Sequence, residues 1–312
     1  MTAEPSQPPG SLAVRELGAS ATTTRLSLPA PSLERTNVQL GPVDAAVFET
    51  FVVPRYLSLF GELSLELLVA SEEARVAHLN CRTGYPDRAI VLKLAGAHII
   101  GVDPSAAALE LARAKAATMP GMVSRYTVCE DLPTSLPSFS FSHALSLHPL
   151  ASPAQRARLF GELARLLGPH GQALIAMPLR ASFQELIDLL REYALKYDDP
   201  DVLSAAERAA LVPPTVEELG AELRDANFDF VDVGLRTATL CFRSGRDFFE
   251  DPVARLLILP ELTRGLALGD PREESVHDRA LAYVRDAIDK YWSESTFDLT
   301  VNVGCATGRR VP

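Results

Sequence analysis

From Arg75 to Met177 the chain alternates short apolar runs with amphipathic helical stretches, and this alternation limits the fold more than any other feature. Arg75–Leu79, His98–Val102, Phe141–Leu147 and Gln172–Met177 read as buried strands, and Arg125–Cys129 is β-like. Between them lie a helix at Pro86–Ala95 and an Ala-rich helix at Ser105–Ala117 with Ser105 as its N-cap. Ala154–Leu167 then places Leu159, Phe160, Leu163, Leu166 and Leu167 on one face. Gly168-Pro-His-Gly171 reads as a turn. Strands joined by helical crossovers must run parallel, and a parallel sheet has to be covered on both faces. All-helical and all-β architectures are thereby excluded, and an α/β Rossmann-like fold is expected.

The flanks extend this core. Residues 1–42 are rich in Pro, Ser, Thr and Ala without apolar periodicity, so they are expected to be a disordered tail. Val43–Ala70 carries helical spacing broken at Pro54, which predicts two short helices. Ser182-Phe-Gln-Glu185 and Thr215-Val-Glu-Glu218 have capping-box spacing, each opening a helix. Phe230–Phe242 is a long β-like run, Asp247–Leu259 and Ser275–Trp292 read as helical, and Phe297–Gly304 reads as a last strand. No Gly/Ser/Pro linker interrupts this stretch, so residues 43–312 are expected to form one domain, with helical insertion or lid elements at about 182–215 and 244–292.

Composition removes several function classes. No apolar run approaches the roughly 18–20 residues of a membrane-spanning helix, and the N-terminus lacks a secretory profile, so a cytoplasmic location is expected. With 30 basic against 40 acidic residues, the formal charge of −10 provides no basic face for a phosphate backbone, and nucleic acid is not an expected partner. The four cysteines lie far apart without CxxC spacing, so neither a zinc site nor another metal site is expected.

The stretch RVAHLNCRTGYPDRAIVLKLAGAHIIGVDPSAAALELARAKA (Arg75–Ala116) resembles the opening of the class I S-adenosylmethionine-dependent methyltransferases. ARLFGELARLLGPHGQALIAMP (Ala157–Pro178) is similar to that family's helix, turn and fifth strand, and TVEELGAELRDANFDFVDV (Thr215–Val233) to its helix leading into the sixth. The resemblance covers about residues 44–312 and implies a mostly parallel seven-stranded sheet with helices on both faces and an antiparallel last strand, here Phe297–Gly304. It also implies a cofactor site at His78, Asn80, Cys81, Arg82, Gly84, Asp103, Pro104, Glu130 and Asp131. Asp103 matches the acid that holds the cofactor's ribose, with strand-end capping of the Ser105 helix as the plainer role; Gly84 matches the last glycine of the loop, and Glu130 or Asp131 the adenine-contacting acid.

The loop also departs from that family. His78 stands where an acid is expected, and Asn80 and Arg82 stand where the first two glycines are expected. A long cation at the closest-approach glycine either fills the cofactor's space or swings out of it. With Asn80 at a helix start, Arg82 has a second reading as an anion site. His148, at a strand end, is the weak candidate for a general base, whereas His78 reads as a core imidazole. Val301–Gly308, VNVGCATG, spells a better glycine loop but lacks a following helix, so it reads as strand. The leading expectation is therefore a methyltransferase-like pseudoenzyme: a chain that has lost S-adenosylmethionine-dependent catalysis and acts as a regulatory or scaffold protein through protein–protein interaction. The alternative is an active S-adenosylmethionine-dependent methyltransferase on a small molecule with an atypical cofactor loop. A homodimer is the base-rate expectation for assembly.

Overall fold

The computed structural model describes Met1 and residues 39–149, 151–265 and 273–312; the tail expected over 1–42 falls outside the described residues as far as position 38. The first helical block runs through α1 (Pro42–Val47), a π-helical segment at Phe48–Leu57 and α2 (Ser58–Leu67). There follow β1 (Arg75–Leu79), α3 (Asp87–Lys93), β2 (His98–Asp103), α4 (Ala106–Ala117), β3 (Val123–Val128), β4 (Phe141–Leu147), α5 (Pro153–Leu166) and β5 (Leu167–Pro178). The remainder is α6 (Gln184–Tyr197), α7 (Pro200–Leu211), α8 (Val216–Asp225), β6 (Phe228–Phe242), α9 (Gly245–Glu250), a second π-helical turn at Ala254–Ile258, α10 (Leu259–Gly265), α11 (Glu273–Tyr291) and β7 (Phe297–Arg310).

Among the described residues the strands form one seven-stranded sheet in the order β3-β2-β1-β4-β5-β7-β6. The first five pair in parallel, and β7 is antiparallel to both β5 and β6. The fold implied by the resemblance is therefore the one present. Side chains sort by the two-residue period of a strand. Val76, Leu145 and Leu174 face a core shared with Phe48, Tyr56 and Phe60 of the first helical block, while Ala77, Ala144 and Ala173 face a core closed by Leu159 and Leu163 of α5 and Leu219 and Leu223 of α8.

Three local expectations are corrected. Pro54 does not break a helix: it lies inside the π-helical segment, whose wider turn absorbs a residue that brings no N–H, and α1 to α2 run on as one path. Gly168–Gly171 is a bulge within β5 rather than a free turn, since Leu167 pairs with Phe141 while Gln172 pairs with His143. Ser182 does not cap α6. Its Oγ instead accepts from Asn302 N–H at 2.9 Å, Glu185 accepts from the Thr300 hydroxyl, and Phe183 (φ 59°) occupies the N-cap position. The capping box at Thr215 and Glu218 is present as expected.

Candidate functional site

The carboxyl ends of β1 and β2 meet at a turn over residues 80–84, the place where open α/β sheets receive ligands. Asn80 (φ 56°), Arg82 (φ 47°) and Gly84 (φ 75°) all adopt left-handed backbone. The turn therefore keeps a glycine-loop shape even where glycine is absent, at a steric cost for Asn80 and Arg82. At Gly84 a side chain would be strained, because a φ of 75° is one that L residues rarely adopt and a Cβ there would lie 3.0 Å from Ala112 Cβ.

Arg82 does not swing out to solvent. It is 7% exposed, its guanidinium lies 5.2 Å over the Phe48 ring, and Nη2 donates to His148 C=O at 3.1 Å. Nη1 is buried without a hydrogen-bond partner. Burial lowers the Arg82 pKa from its ordinary value, opposed by the charge of Asp103. Asp103, at the end of β2, is also buried, and its carboxylate is occupied by the chain itself: Oδ2 accepts from Arg82 N–H at 2.9 Å and Oδ1 from Ser105 N–H at 2.8 Å. Ser105 Oγ caps α4 through Ala108 N–H, as expected.

Behind the turn lies a buried polar cluster in which two members, Asp87 and Tyr126, were not foreseen. His78 Nδ1 is 2.6 Å from Asp87 Oδ1, and Tyr126 donates its hydroxyl to Asp87 Oδ2 at 2.8 Å. All three side chains are buried, and His78 Nε2 has no partner. A carboxylate accepts without donating, so His78 presents Nδ1–H to Asp87. Burial first, and then the Asp87 charge, raises the Tyr126 pKa. An acid from the first turn of α3 thus pairs with the His78 that stands in the place of the β1 acid, behind the turn and away from the cleft. Gly101 makes this reach feasible, since a Cβ there would overlap the Tyr126 ring at 2.5 Å.

The other expected residues divide. His148 (φ 50°) is buried, with Nε2 2.8 Å from the Tyr56 hydroxyl and Nδ1 unpartnered. Burial, then the charge of Arg82, depresses its pKa well below the ordinary imidazole value, so it is neutral near pH 7. No acid orients it. Cys81 is buried, and burial pushes its thiol well up, which leaves it unreactive. Pro104 is half-buried between Asp103 and Ser105. Asn80 donates to Ser146 Oγ at 3.4 Å. Together with exposed Glu130 and Asp131 it lines a small cleft beyond β1, β2 and β4. Asp131 accepts from Arg158 at 3.0 Å and from Leu132 N–H, and these bonds lower its pKa.

S-adenosylmethionine does not fit these residues as they stand. The cleft at the strand ends has about 30 Å³, room for a water molecule or two, whereas small-molecule sites span roughly 300–1,000 Å³. Arg82 occupies the approach that the absent glycine would leave open, and it carries the same sign of charge as the sulfonium. The Asp103 carboxylate already accepts two backbone N–H bonds. Among the described residues no group of three or more His, Cys, Asp and Glu side chains is placed to hold a metal ion.

A larger cleft, of about 250 Å³, lies between the N-terminus of α5 and helices α6, α7 and α10. Its walls are mostly apolar, with Glu261 and Arg264 among the lining residues. Burial raises the Glu261 pKa to about 7, and the charges of Arg264 and then Arg82 oppose the rise. Neither residue stands out in the sequence, because α10 is short and its charges look like those of any solvated turn.

A family model described as a methyltransferase domain matches residues 76–171, from β1 into β5. No curated protein sequence matches the chain. Among solved structures, phosphoethanolamine N-methyltransferase 2 of Haemonchus contortus, in complex with phosphomonomethylethanolamine and S-adenosylhomocysteine, is similar over 91% of this chain and 62% of its own, at 15% identity and a TM-score of 0.52. The cyclopropane synthase MmaA2 of Mycobacterium tuberculosis is similar over 90% of this chain and 99% of its own, at 13% identity and a TM-score of 0.51. At such identities the likeness is one of fold. The chain therefore carries a methyltransferase domain at residues 76–171, set within a sheet of the Rossmann-like methyltransferase fold.

Proposed function

We propose that this chain is a methyltransferase-fold protein that has lost S-adenosylmethionine-dependent catalysis, a cytoplasmic regulatory or scaffold protein that works through protein contacts. The observation that carries the reading is the buried Arg82 side chain, held by Phe48 and His148 C=O in the space a cofactor would approach. Internal satisfaction of Asp103 and the neutral, acid-free His148 point the same way. For contacts, β6 offers a fifteen-residue edge strand carrying Phe230 at 85% and Leu235 at 51% exposure, a feature suited to strand addition. No helix among the described residues is long and apolar enough to cross a membrane.

Calorimetric titration of the purified protein with S-adenosylmethionine and S-adenosylhomocysteine is the test. No heat of binding at about 100 μM ligand is expected, and micromolar affinity for either would overturn the reading. The alternative, a small-molecule methyltransferase with an atypical loop, draws on Asp103 at the end of β2 and on Glu130 and Asp131 beside the same cleft. It requires Arg82 to leave its buried position, and the same titration decides between the two.

A further inference from the structure

The cleft between α5, α6, α7 and α10 is lined by one acidic and one basic side chain that belong to no part of the turn described above. Glu261 and Arg264 stand one helical turn apart on α10, and both line the cleft. Among the described residues they form no ion pair with each other, and Glu261 Oε2 is buried without any hydrogen-bond partner. A buried carboxylate oxygen left unpaired is costly, and natural proteins keep such groups where a partner arrives from outside. The remaining wall is apolar, built from Phe183, Leu186, Ile187, Ile258 and Leu262.

We propose that this cleft binds a free α-amino acid with an apolar side chain. The ligand's ammonium group meets Glu261, its carboxylate meets Arg264, and its side chain lies against Leu186, Ile187 and Leu262. Size agrees with this class: a dry cavity of about 150 Å³ holds a benzene ring, and the roughly 250 Å³ available adds space for the ammonium and carboxylate ends. Charge agrees as well. A simple amine would satisfy Glu261 while facing Arg264, and a simple carboxylate would satisfy Arg264 while facing Glu261; only a zwitterion satisfies both. The cleft is lined by residues other than those of the turn over 80–84, so a protein that binds no S-adenosylmethionine can still respond to an amino acid.

Titration calorimetry with L-phenylalanine and L-leucine tests the proposal, with 2-phenylethylamine and 3-phenylpropionate as analogues that each lack one charge. The amino acids are expected to bind at least tenfold more tightly than either analogue. Glu261→Gln and Arg264→Gln should each raise the Kd for L-phenylalanine at least tenfold while thermal unfolding stays cooperative. Glu261→Gln should leave 3-phenylpropionate unaffected or better bound, an outcome that a merely misfolded variant would not give. The proposal is overturned if no amino acid binds at about 10 mM, if 2-phenylethylamine binds as well as L-phenylalanine, or if both variants bind like the parent protein.

Discussion

Glu261 gives the structure's most direct pH prediction. Its pKa rises from an ordinary 4.5 to about 7, because burial penalises the charged form more than Arg264 and Arg82 favour it. Between those two pH values the folded protein holds a proton that the unfolded chain has released, so stability falls as pH rises through the interval. The contribution is unimpaired below about 4.5 and fully lost above about 7. At about 1.4 kcal/mol per pH unit, the difference amounts to about 3 kcal/mol, an upper bound because Glu261 is only partly buried as a whole residue. Gln cannot ionise, so Glu261→Gln should lie within about 1 kcal/mol of the parent at pH 5 and exceed it by about 2–3 kcal/mol at pH 8. Urea unfolding followed by the single tryptophan, Trp292, at half-unit steps of pH measures this directly. A stability difference between variant and parent that stays constant from pH 5 to 8 would refute the reasoning.

Other perturbations address the cofactor position and its supports. Arg82→Gly relieves a left-handed non-glycine residue, a gain of about 1 kcal/mol, but removes a buried cation–π contact and a charged hydrogen bond worth more. A net loss of about 1–2 kcal/mol is expected, together with measurable S-adenosylhomocysteine binding in calorimetry; a variant that folds yet gains no affinity would show that Arg82 is not the block. Asp87→Ala strands His78 Nδ1–H and the Tyr126 hydroxyl in the core and should cost about 3–5 kcal/mol in urea unfolding, whereas Tyr126→Phe should cost about 1 kcal/mol. Equal losses from these two variants would argue against a shared carboxylate. Gly84→Ala combines a φ of 75° with a 3.0 Å approach to Ala112 Cβ and should lower stability by about 1–3 kcal/mol, read as a fall in Tm.

Where the sequence was informative, the reason was periodicity. Val76 and Ala77, or Leu145 and Ala144, alternate between the two cores, and that alternation can be seen along the chain before any contact is known. Asp103 could be placed at a strand end by the same means. The Asp87 partnership could not: it depends on α3 returning across the end of β1 and on Gly101 admitting the Tyr126 ring, both of which are tertiary. Tyr-Pro-Asp at 85–87, an acid in the first turn after a proline, is the sequence signal that goes with it. For Arg82 the sequence left two directions open, and the choice was made by Phe48, thirty-four positions upstream on a helical block that the sequence split at Pro54.

Two clefts that look separate along the chain share one electrostatic centre. The charge of Arg82 lowers the pKa of both Glu261 and His148, and Glu261 in turn adds to the rise at Tyr56, whose hydroxyl meets His148 Nε2. Ala151 lines both clefts. Removing the Arg82 charge therefore withdraws one of the two forces that hold Glu261 down. In Arg82→Gly the upper end of the Glu261-dependent stability change should move above its present value of about 7, carrying the midpoint up with it, with Arg264 left as the remaining opposing charge. Arg82→Lys is the informative control, because it keeps a cation but loses the planar fork that reaches His148 C=O over Phe48. If the midpoint follows charge, Lys preserves it and Gly shifts it; if Arg82 acts only by filling space, Lys and Gly displace the midpoint alike, and the coupling between the loop and the α10 cleft has to be abandoned.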